Sequence, residues 1–582
     1  MSDIETSDRT AQPPRRRRRR RAGLWVLLSV TALAMAAVLA FLSLTATPLT
    51  APEWMTRSVE ARLNEGLGGN RISLGQLQLV VDRRAVPRVR MRNVGVFDNA
   101  GAEIARLNEV GARLGPRALA SGDVELRTLR LSGAQITVRR RTDGTFDISL
   151  GAGAGASGTL AGVLDRIDQA FSQAPLSSLE RVIADQLTIT LEDGRSGRIW
   201  QVTEGSLTLD QTSESLDLTV SADVFNGTEE LASTVIGFRT EKGSPVASFT
   251  ATFENAAAAD IAAQSPALAF LEVIDAPISG ALRAAIDASG NIGGLAGTLE
   301  IGAGALRPAP ETPPIPFNGA QAYVDYDPAT QKLSVSQVRL DSDAARGRGE
   351  GVAYLREFNA GWPGALVGQF SLSDVRLQPG EIFAEPMQFA TGAIDFRLRL
   401  DPFSVDIGQV SLQQDDRRFL GRGRVEASSA GWGVELDLGL NTIPLDRLLA
   451  LWPVQLAPGA RDWIERNTIA GDINELAGAF RLFPDRPPQM SLSYLYSNAD
   501  VKFMRTLPPV LDGAGYASLV GKTYTMVIEK GRIEAPQGGP IDVAGSVFRV
   551  GDITVPPGRA ELALRTESSI IGALSLLDLP PF

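Results

Sequence analysis

From Arg71 onward, apolar residues recur at every second position. Leu77 and Leu79 begin the series, followed by Leu129 and Leu131, Ile136 and Val138, and Leu187, Ile189 and Leu191. It continues through Leu207 and Leu209, Leu216, Leu218 and Val220, Phe249, Ala251 and Phe253, and Phe396, Leu398 and Leu400. Val434, Leu436, Leu438 and Leu440 come next, then Met490, Leu492, Tyr494 and Tyr496, and last Tyr524, Met526 and Ile528. A period of two sends successive side chains to opposite faces, so each segment predicts a strand with one apolar face. Clusters of Gly, Asp, Asn and Ser separate the segments at intervals of ~10 to 14 residues, as antiparallel strands joined by short turns require.

Helical spacing is rarer. Met55, Val59, Leu63 and Leu67 lie four apart within 53–67, ended by Gly68-Gly69. Leu160, Val163, Leu164, Ile167 and Phe171 follow the low-complexity run Gly151–Gly158 at helical spacing. Further short helices are expected at Ala267–Ile274, at Leu445–Trp452, after Pro458 to Arg466, and at Ser569–Leu577. Short helices at such wide intervals predict caps on a sheet and not a doubly wound fold.

The N-terminus carries a different pattern. Arg15–Arg21 run into Gly23–Leu44, which holds no charge. At ~1.5 Å per residue this stretch covers a hydrocarbon core of ~30 Å. Cations stay on the cytoplasmic side, so residues 1–22 are expected inside and the chain after Leu44 outside. A cleaved signal peptide has an apolar region of ~7 to 15 residues, shorter than this one.

Composition narrows the chemistry. The 582 residues are 44% hydrophobic and contain neither Cys nor His. Disulfides, thiolate nucleophiles, Cys or His metal sites and the commonest general base are thereby removed. Carboxylate, Ser/Lys or Tyr chemistry survives, and Lys occurs only at 242, 332, 502, 522 and 530. No enzyme activity, metal or cofactor is expected. Residues 1–22 hold eight arginines against Asp3, Glu5 and Asp8, so the acidic excess of the chain, net −10, lies in the body. An acidic body does not neutralise phosphates, which argues against a nucleic-acid partner.

Three charged or glycine-rich motifs have bland readings. Asp415-Asp416 beside Arg417-Arg418 reads as a solvated turn, and Asp325-Tyr-Asp327 before Pro328 as a hairpin turn in place of a calcium site. Gly347-Arg-Gly-Glu-Gly351 lacks the strand-to-helix switch of a phosphate loop. The 58 glycines and 34 prolines fit the number of turns. An apolar sheet face must pack in a sandwich, close in a barrel, or line an open groove. Aromatics at 6% argue against the girdles of an outer-membrane barrel. Periodicity leaves sandwich and groove both open.

Four segments carry a family resemblance. They are Val94-Gly-Val-Phe-Asp-Asn99, Ala112–Leu126, Leu129–Arg139 and Asp143-Gly-Thr-Phe-Asp-Ile148, which resemble the N-terminal module of the AsmA-like family. Leu451–Ile473, with Gly545-Ser-Val-Phe-Arg-Val550, resembles the central region of its YhdP-type branch. The resemblance implies a bridge-like lipid-transfer protein of the bacterial envelope, with a β-groove that carries phospholipid acyl chains toward the outer membrane. Chains of that branch continue past the equivalent of Leu576–Phe582, so this one is expected to be an N-terminal portion or a shortened product.

The expected fold is mainly β: a single N-terminal transmembrane helix, then an elongated, twisted antiparallel β-sheet groove with a few short capping helices. The expected divisions are a cytoplasmic tail 1–22, a membrane helix 23–44, an N-terminal β module 45–150, a linker and helix 151–176, a β-groove 177–440, and a YhdP-like region 441–582. The expected place is the inner membrane, with the bulk in the periplasm. Expected partners are phospholipids, the inner membrane, and outer-membrane or periplasmic proteins. The competing expectation is a non-enzymatic envelope scaffold of closed β-sandwiches. Candidate groove residues are Leu207, Leu209, Leu216, Leu218, Phe396, Leu398, Leu400, Val434, Leu436, Leu438, Leu440, Leu492 and Tyr494, and a candidate lid comprises Trp452, Arg461 and Trp463.

Overall fold

The computed structural model describes residues 25, 27–38, 48–64, 71–81, 87–97, 103–114, 126–133, 135–140, 146–148, 176–194, 197–225, 231–244, 246–286, 292–378, 385–452, 458–555 and 559–580. The tail 1–22, the linker 151–158, the helix expected at 160–171 and residues 39–44 of the expected span lie outside them. Trp25 and residues 27–38 are helical. Among the described residues no helix is long and apolar enough to cross a membrane. The described residues therefore do not support the expected span 23–44.

The described chain is mainly β, and hydrogen bonding places 29 of its strands in one sheet and three in a small second one. Two compact units divide it: residues 1–192 with 201–220, and residues 193–200 with 221–582.

In the first unit, α1 (Glu53–Asn64) packs Val59 and Leu63 against a core of Leu74, Val94 and Val110. The strands are β1 (Leu49–Thr50), β2 (Arg71–Val81), β3 (Pro87–Phe97), β4 (Glu103–Leu114), β5 (Leu126–Ser132), β6 (Gln135–Arg140), β7 (Phe146–Ile148) and β8 (Arg181–Asp193). They are followed by β9 (Arg198–Gln211) and β10 (Ser215–Phe225), whose residues 201–220 belong to this unit. β1 to β5 pair antiparallel in chain order, and β5 pairs parallel with β8.

The second unit is a meander. It begins with β11 (Ala232–Glu241), β12 (Ala247–Ala257), β13 (Ile274–Asp275), β14 (Pro277–Ile286), β15 (Ile292–Ile301), β16 (Gly304–Leu306) and β17 (Ile315–Phe317). Then come β18 (Gly319–Asp327), β19 (Lys332–Asp341), β20 (Ala345–Asn359), β21 (Trp362–Leu377), β22 (Met387–Arg399), β23 (Ser404–Gln414), β24 (Arg417–Ser428) and β25 (Gly431–Pro444). It ends with β26 (Thr468–Phe483), β27 (Arg486–Val501), β28 (Val510–Val520), β29 (Thr523–Glu534), β30 (Pro540–Asp542), β31 (Val547–Val550) and β32 (Ala560–Ala563). β13, β16 and β17 form the small sheet. The others pair antiparallel with the next in the chain, except that β31 joins β29 directly beside β30. The expected turns are hairpins: Asp327 accepts from the Ala329 amide and the Thr330 hydroxyl at 2.9 and 2.7 Å, and Asp415 takes a positive φ between β23 and β24.

Five short helices cap the apolar side. α2 (Ala258–Ala262) leads into a 3-10 helix, Pro266–Val273, where an α-helix was expected. Pro266 has no amide to donate, and the Ser265 hydroxyl accepts from the Ala267 amide, which favours a tight turn. α3 (Leu445–Ala450) and α4 (Pro458–Asn467) sit where expected on either side of Pro453, and α5 (Ile570–Leu577) is capped by Ser569.

Candidate functional site: an uncovered apolar sheet face

Cross-strand register aligns the alternating residues of the second unit into rows. One row runs Ile236, Ala251, Leu282, Gly297, Val324, Val335, Gly351, Phe370, Ile394 and Val410. It continues Gly421, Leu438, Gly478, Leu492, Leu519, Tyr524, Val550 and Ala560, so it crosses every strand of this unit in the large sheet except β30, and its one polar group is the hydroxyl of Tyr524. The opposite face is polar. There Arg397, Asp406, Arg424, Glu435, Arg481 and Gln489 stand in one row from β22 to β27. Arg399 bonds Asp406 at 2.8 Å, and Asp437 accepts from Arg481 at 2.7 Å and Arg422 at 3.2 Å. The hydrogen bond from Arg481 holds the Asp437 carboxyl below the usual carboxylate range.

Glycines within the strands shape this face. A Cβ on Gly423 would lie 2.2 Å from the Glu435 carbonyl, and one on Gly351 2.2 Å from that of Gln369. Gly421 lies beneath Val410 and Leu438, and Gly478 beside Phe480 and Leu492. At these positions an added side chain would meet the neighbouring strand's backbone or its large apolar side chains. The glycines of Gly347–Gly351 therefore belong to strand β20, with Arg348 and Glu350 on the polar face.

Part of the apolar face is closed by the chain itself. Ile261 and Leu268 pack with Phe253, Ile278, Leu299 and Ile301. Ala267 of the same segment packs with Tyr326, Leu333, Ala353 and Leu366, and Phe396 and Leu398 join that cluster. The 3-10 helix thus shares one hydrophobic cluster with side chains from β18 to β22. The loop between β16 and β17 also reaches the β24–β25 hairpin. Thr312, 1% exposed, donates to the Ser428 carbonyl at 3.1 Å, and the Trp432 indole donates to the Pro313 carbonyl at 2.7 Å.

A second cap lies further along. Leu445, Leu448 and Leu451 of α3 and its end cover Leu440, Ile443, Ile473 and Tyr496. On α4, Trp463 stacks on Phe548 of β31 with centroids 6.5 Å apart, and Arg461 reaches the Leu449 carbonyl and Glu465. Trp452 closes the last turn of α3 with its amide on the Leu449 carbonyl.

Between the two caps the face is open. Val410, Val434, Leu436, Leu438, Phe480 and Leu492 belong to no buried cluster among the described residues. Leu438 and Leu482 are 39% and 43% exposed. Across β22 to β26, four successive rows hold twenty positions without one polar side chain. Of these twenty, Phe396, Leu398, Phe419, Leu440 and Leu476 join the clusters under the caps, and the rest form the candidate binding surface.

The sequence-expected residues separate accordingly. Val434, Leu436, Leu438 and Leu492 line the window, with Tyr494 at its edge. Phe396 and Leu398 turn out to pack on the 3-10 helix cluster, and Leu440 is buried under α3, because the caps occupy these ends of the face. Leu400 lies in the turn after β22, its amide on the Gly364 carbonyl, and so has no strand parity. Leu207, Leu209, Leu216 and Leu218 fall in the first unit. Leu207 packs there with Ala184 and Leu187, and Leu216 is 2% exposed, so these two serve a closed core.

Residues the sequence reading missed are Val410, Phe480 and the glycines beneath them. Their signal was glycine at the apolar parity inside a strand, visible in Gly421-Arg-Gly423 but ascribed to turns. Among the described residues no group of His, Cys, Asp and Glu has metal-holding geometry. A cleft of about 330 Å³ beside Ser342, Asp343, Arg346 and Arg376 sits at the β19–β20 hairpin, off the apolar rows. Comparison with family models, curated proteins and solved structures returned no match.

Proposed function

We propose that this is an inner-membrane-anchored periplasmic lipid-transfer protein whose uncovered sheet face carries phospholipid acyl chains. The observation that carries the reading is the window of apolar rows between the two caps, backed by a charged face. Four alternate positions along a strand span roughly 20 Å, and six strands from β22 to β27 span roughly 24 Å. One leaflet of a bilayer core is about half of ~30 Å thick, so acyl chains fit within the window. Each CH₂ sheltered from water contributes ~0.8 kcal/mol, without need of a catalytic group. Rows of near-equivalent apolar sites hold chains in the window while movement between sites costs little.

The competing scaffold reading has its own observation, the segment 258–273 that closes the face from β12 to β22. A scaffold of closed cores needs that closure throughout, and the exposed Leu438 and Leu482 argue for a ligand in its place.

Photo-cross-linking residues placed singly from 434 to 439 in the full chain test the reading. Phospholipid adducts are expected at 434, 436 and 438 and not at 435, 437 and 439. Equal labelling at both parities, or none, would overturn it.

A further inference from the structure

The apolar face carries hydroxyls near the second cap. Tyr494 and Tyr524 stand on β27 and β29, two strands apart, and their oxygens meet at 2.9 Å across β28, where Ala517 is only 1% exposed. Only one of the two hydroxyls can donate to the other. The remaining proton, on Tyr524, points to the Met526 sulfur at 3.6 Å. A thioether is a weak acceptor. Neighbouring Tyr496 differs, because it donates to the Val527 carbonyl at 2.8 Å. The Tyr494–Tyr524 pair therefore ends one good acceptor short. Burial pushes Tyr494 well above the ordinary phenol value and raises Tyr524 as well, so both remain neutral donors at neutral pH. The pair lies beside Phe548, whose ring meets Tyr524 edge-on and stacks under Trp463.

The chemistry of this spot selects a ligand class. A phosphate or carboxylate would have to shed water among Leu492, Met526 and Phe548, which is costly for a charge without a partner. A bare hydrocarbon offers no acceptor for the free proton. An ester carbonyl is a strong neutral acceptor flanked by apolar chain, and it fits both demands. We propose that Tyr494 and Tyr524 form an ester-carbonyl subsite, holding the ester end of an acyl chain that lies in the window under Trp463. This inference rests on the lipid-carrying reading and specifies where along the face a lipid pauses, and by which group.

The test uses the full chain in detergent with two probes, dioleoyl phosphatidylethanolamine and its dialkyl ether analogue, in competition. One hydrogen bond gained predicts an ester preference of about three- to ten-fold. Tyr524→Phe removes the donor and should bring the preference close to unity, whereas Tyr494→Phe, which keeps the Tyr524 proton, and Tyr496→Phe should leave an ester preference in place. Equal binding of both probes by the unmodified chain, or a preference that survives Tyr524→Phe, overturns the subsite and leaves the lipid-carrying reading standing. Binding of neither probe overturns that reading itself. Infrared spectra of the bound ester with an isotope-labelled carbonyl do not depend on a variant folding. A stretch lowered from its value in dry hydrocarbon supports the subsite, and an unshifted one overturns it.

Discussion

Two glycines on paired strands show how much one hydrogen atom decides. Gly423 faces the apolar side with the Glu435 carbonyl 2.2 Å from where a Cβ would stand, whereas a Cβ on Gly439 meets nothing nearer than 3.9 Å. Gly423→Ala is expected to destabilise by about 1 to 3 kcal/mol, as overpacking does. Gly439→Ala removes chain entropy from the unfolded state and should be neutral or stabilising by up to about 1 kcal/mol. Denaturant midpoints of the two variants check the pair, and a similar loss in both would contradict the close approach. Asp437 is a second residue-scale case. Its carboxyl is depressed by the hydrogen bond from Arg481 and by Arg422. A depressed carboxyl adds stability that is present above the unfolded value of ~3.9 and lost as pH falls through the folded one. The gap between the parent chain and Asp437→Asn should be constant at neutral pH and close below about pH 4. Thermal midpoints across pH measure it.

Strands keep their apolar parity over long distances only because bulges correct it. Between Val335 and Val338 on β19, and between Ile407 and Val410 on β23, two residues stand against one on the partner strand. Each bulge holds valine and isoleucine on the same face and adds local twist. Glu357, Asp374, Glu475, Asn498 and Asp512 take positive φ inside strands, in keeping with the same irregularity. Bulges are invisible to a strict period of two, which explains why Val410 escaped the alternation that found Val434 to Leu440. The caps are elements with less to hold them. α4 lies over the sheet through Trp463, itself 39% exposed, on Phe548. Trp463→Ala should cost about 1 kcal/mol, the worth of one aromatic pair. Hydrogen exchange is expected to rise across 458–467 while β25 and β26 stay protected; unchanged exchange would mean that the stack does not anchor the helix.

At the scale of the second unit, one face is continuous in register and divided in cover. The row from Ile236 to Ala560 runs from β11 to β32 across the large sheet, past β30, yet segment 258–273 and helices α3 and α4 close its flanks and leave the middle open. Lipid recovered with the full chain should therefore protect the β23–β26 region from apolar surface labels and leave the Phe253 and Ile278 core, already closed, unaffected. The sequence by itself determined the strands, the parity of their apolar residues, the helices at 445–450, 458–467 and 570–577, and the turn roles of Asp327 and Asp415. These are local, because backbone geometry and a period of two decide them within about ten residues. It did not determine which apolar residues would be covered. Leu440 and Leu438 share a strand and a face, and one is buried under α3 while the other stays 39% exposed. Cover depends on where segments remote in the chain come to rest, as Ala267 does against Leu366. Such contacts leave no period in the sequence, and only the tertiary structure decided them.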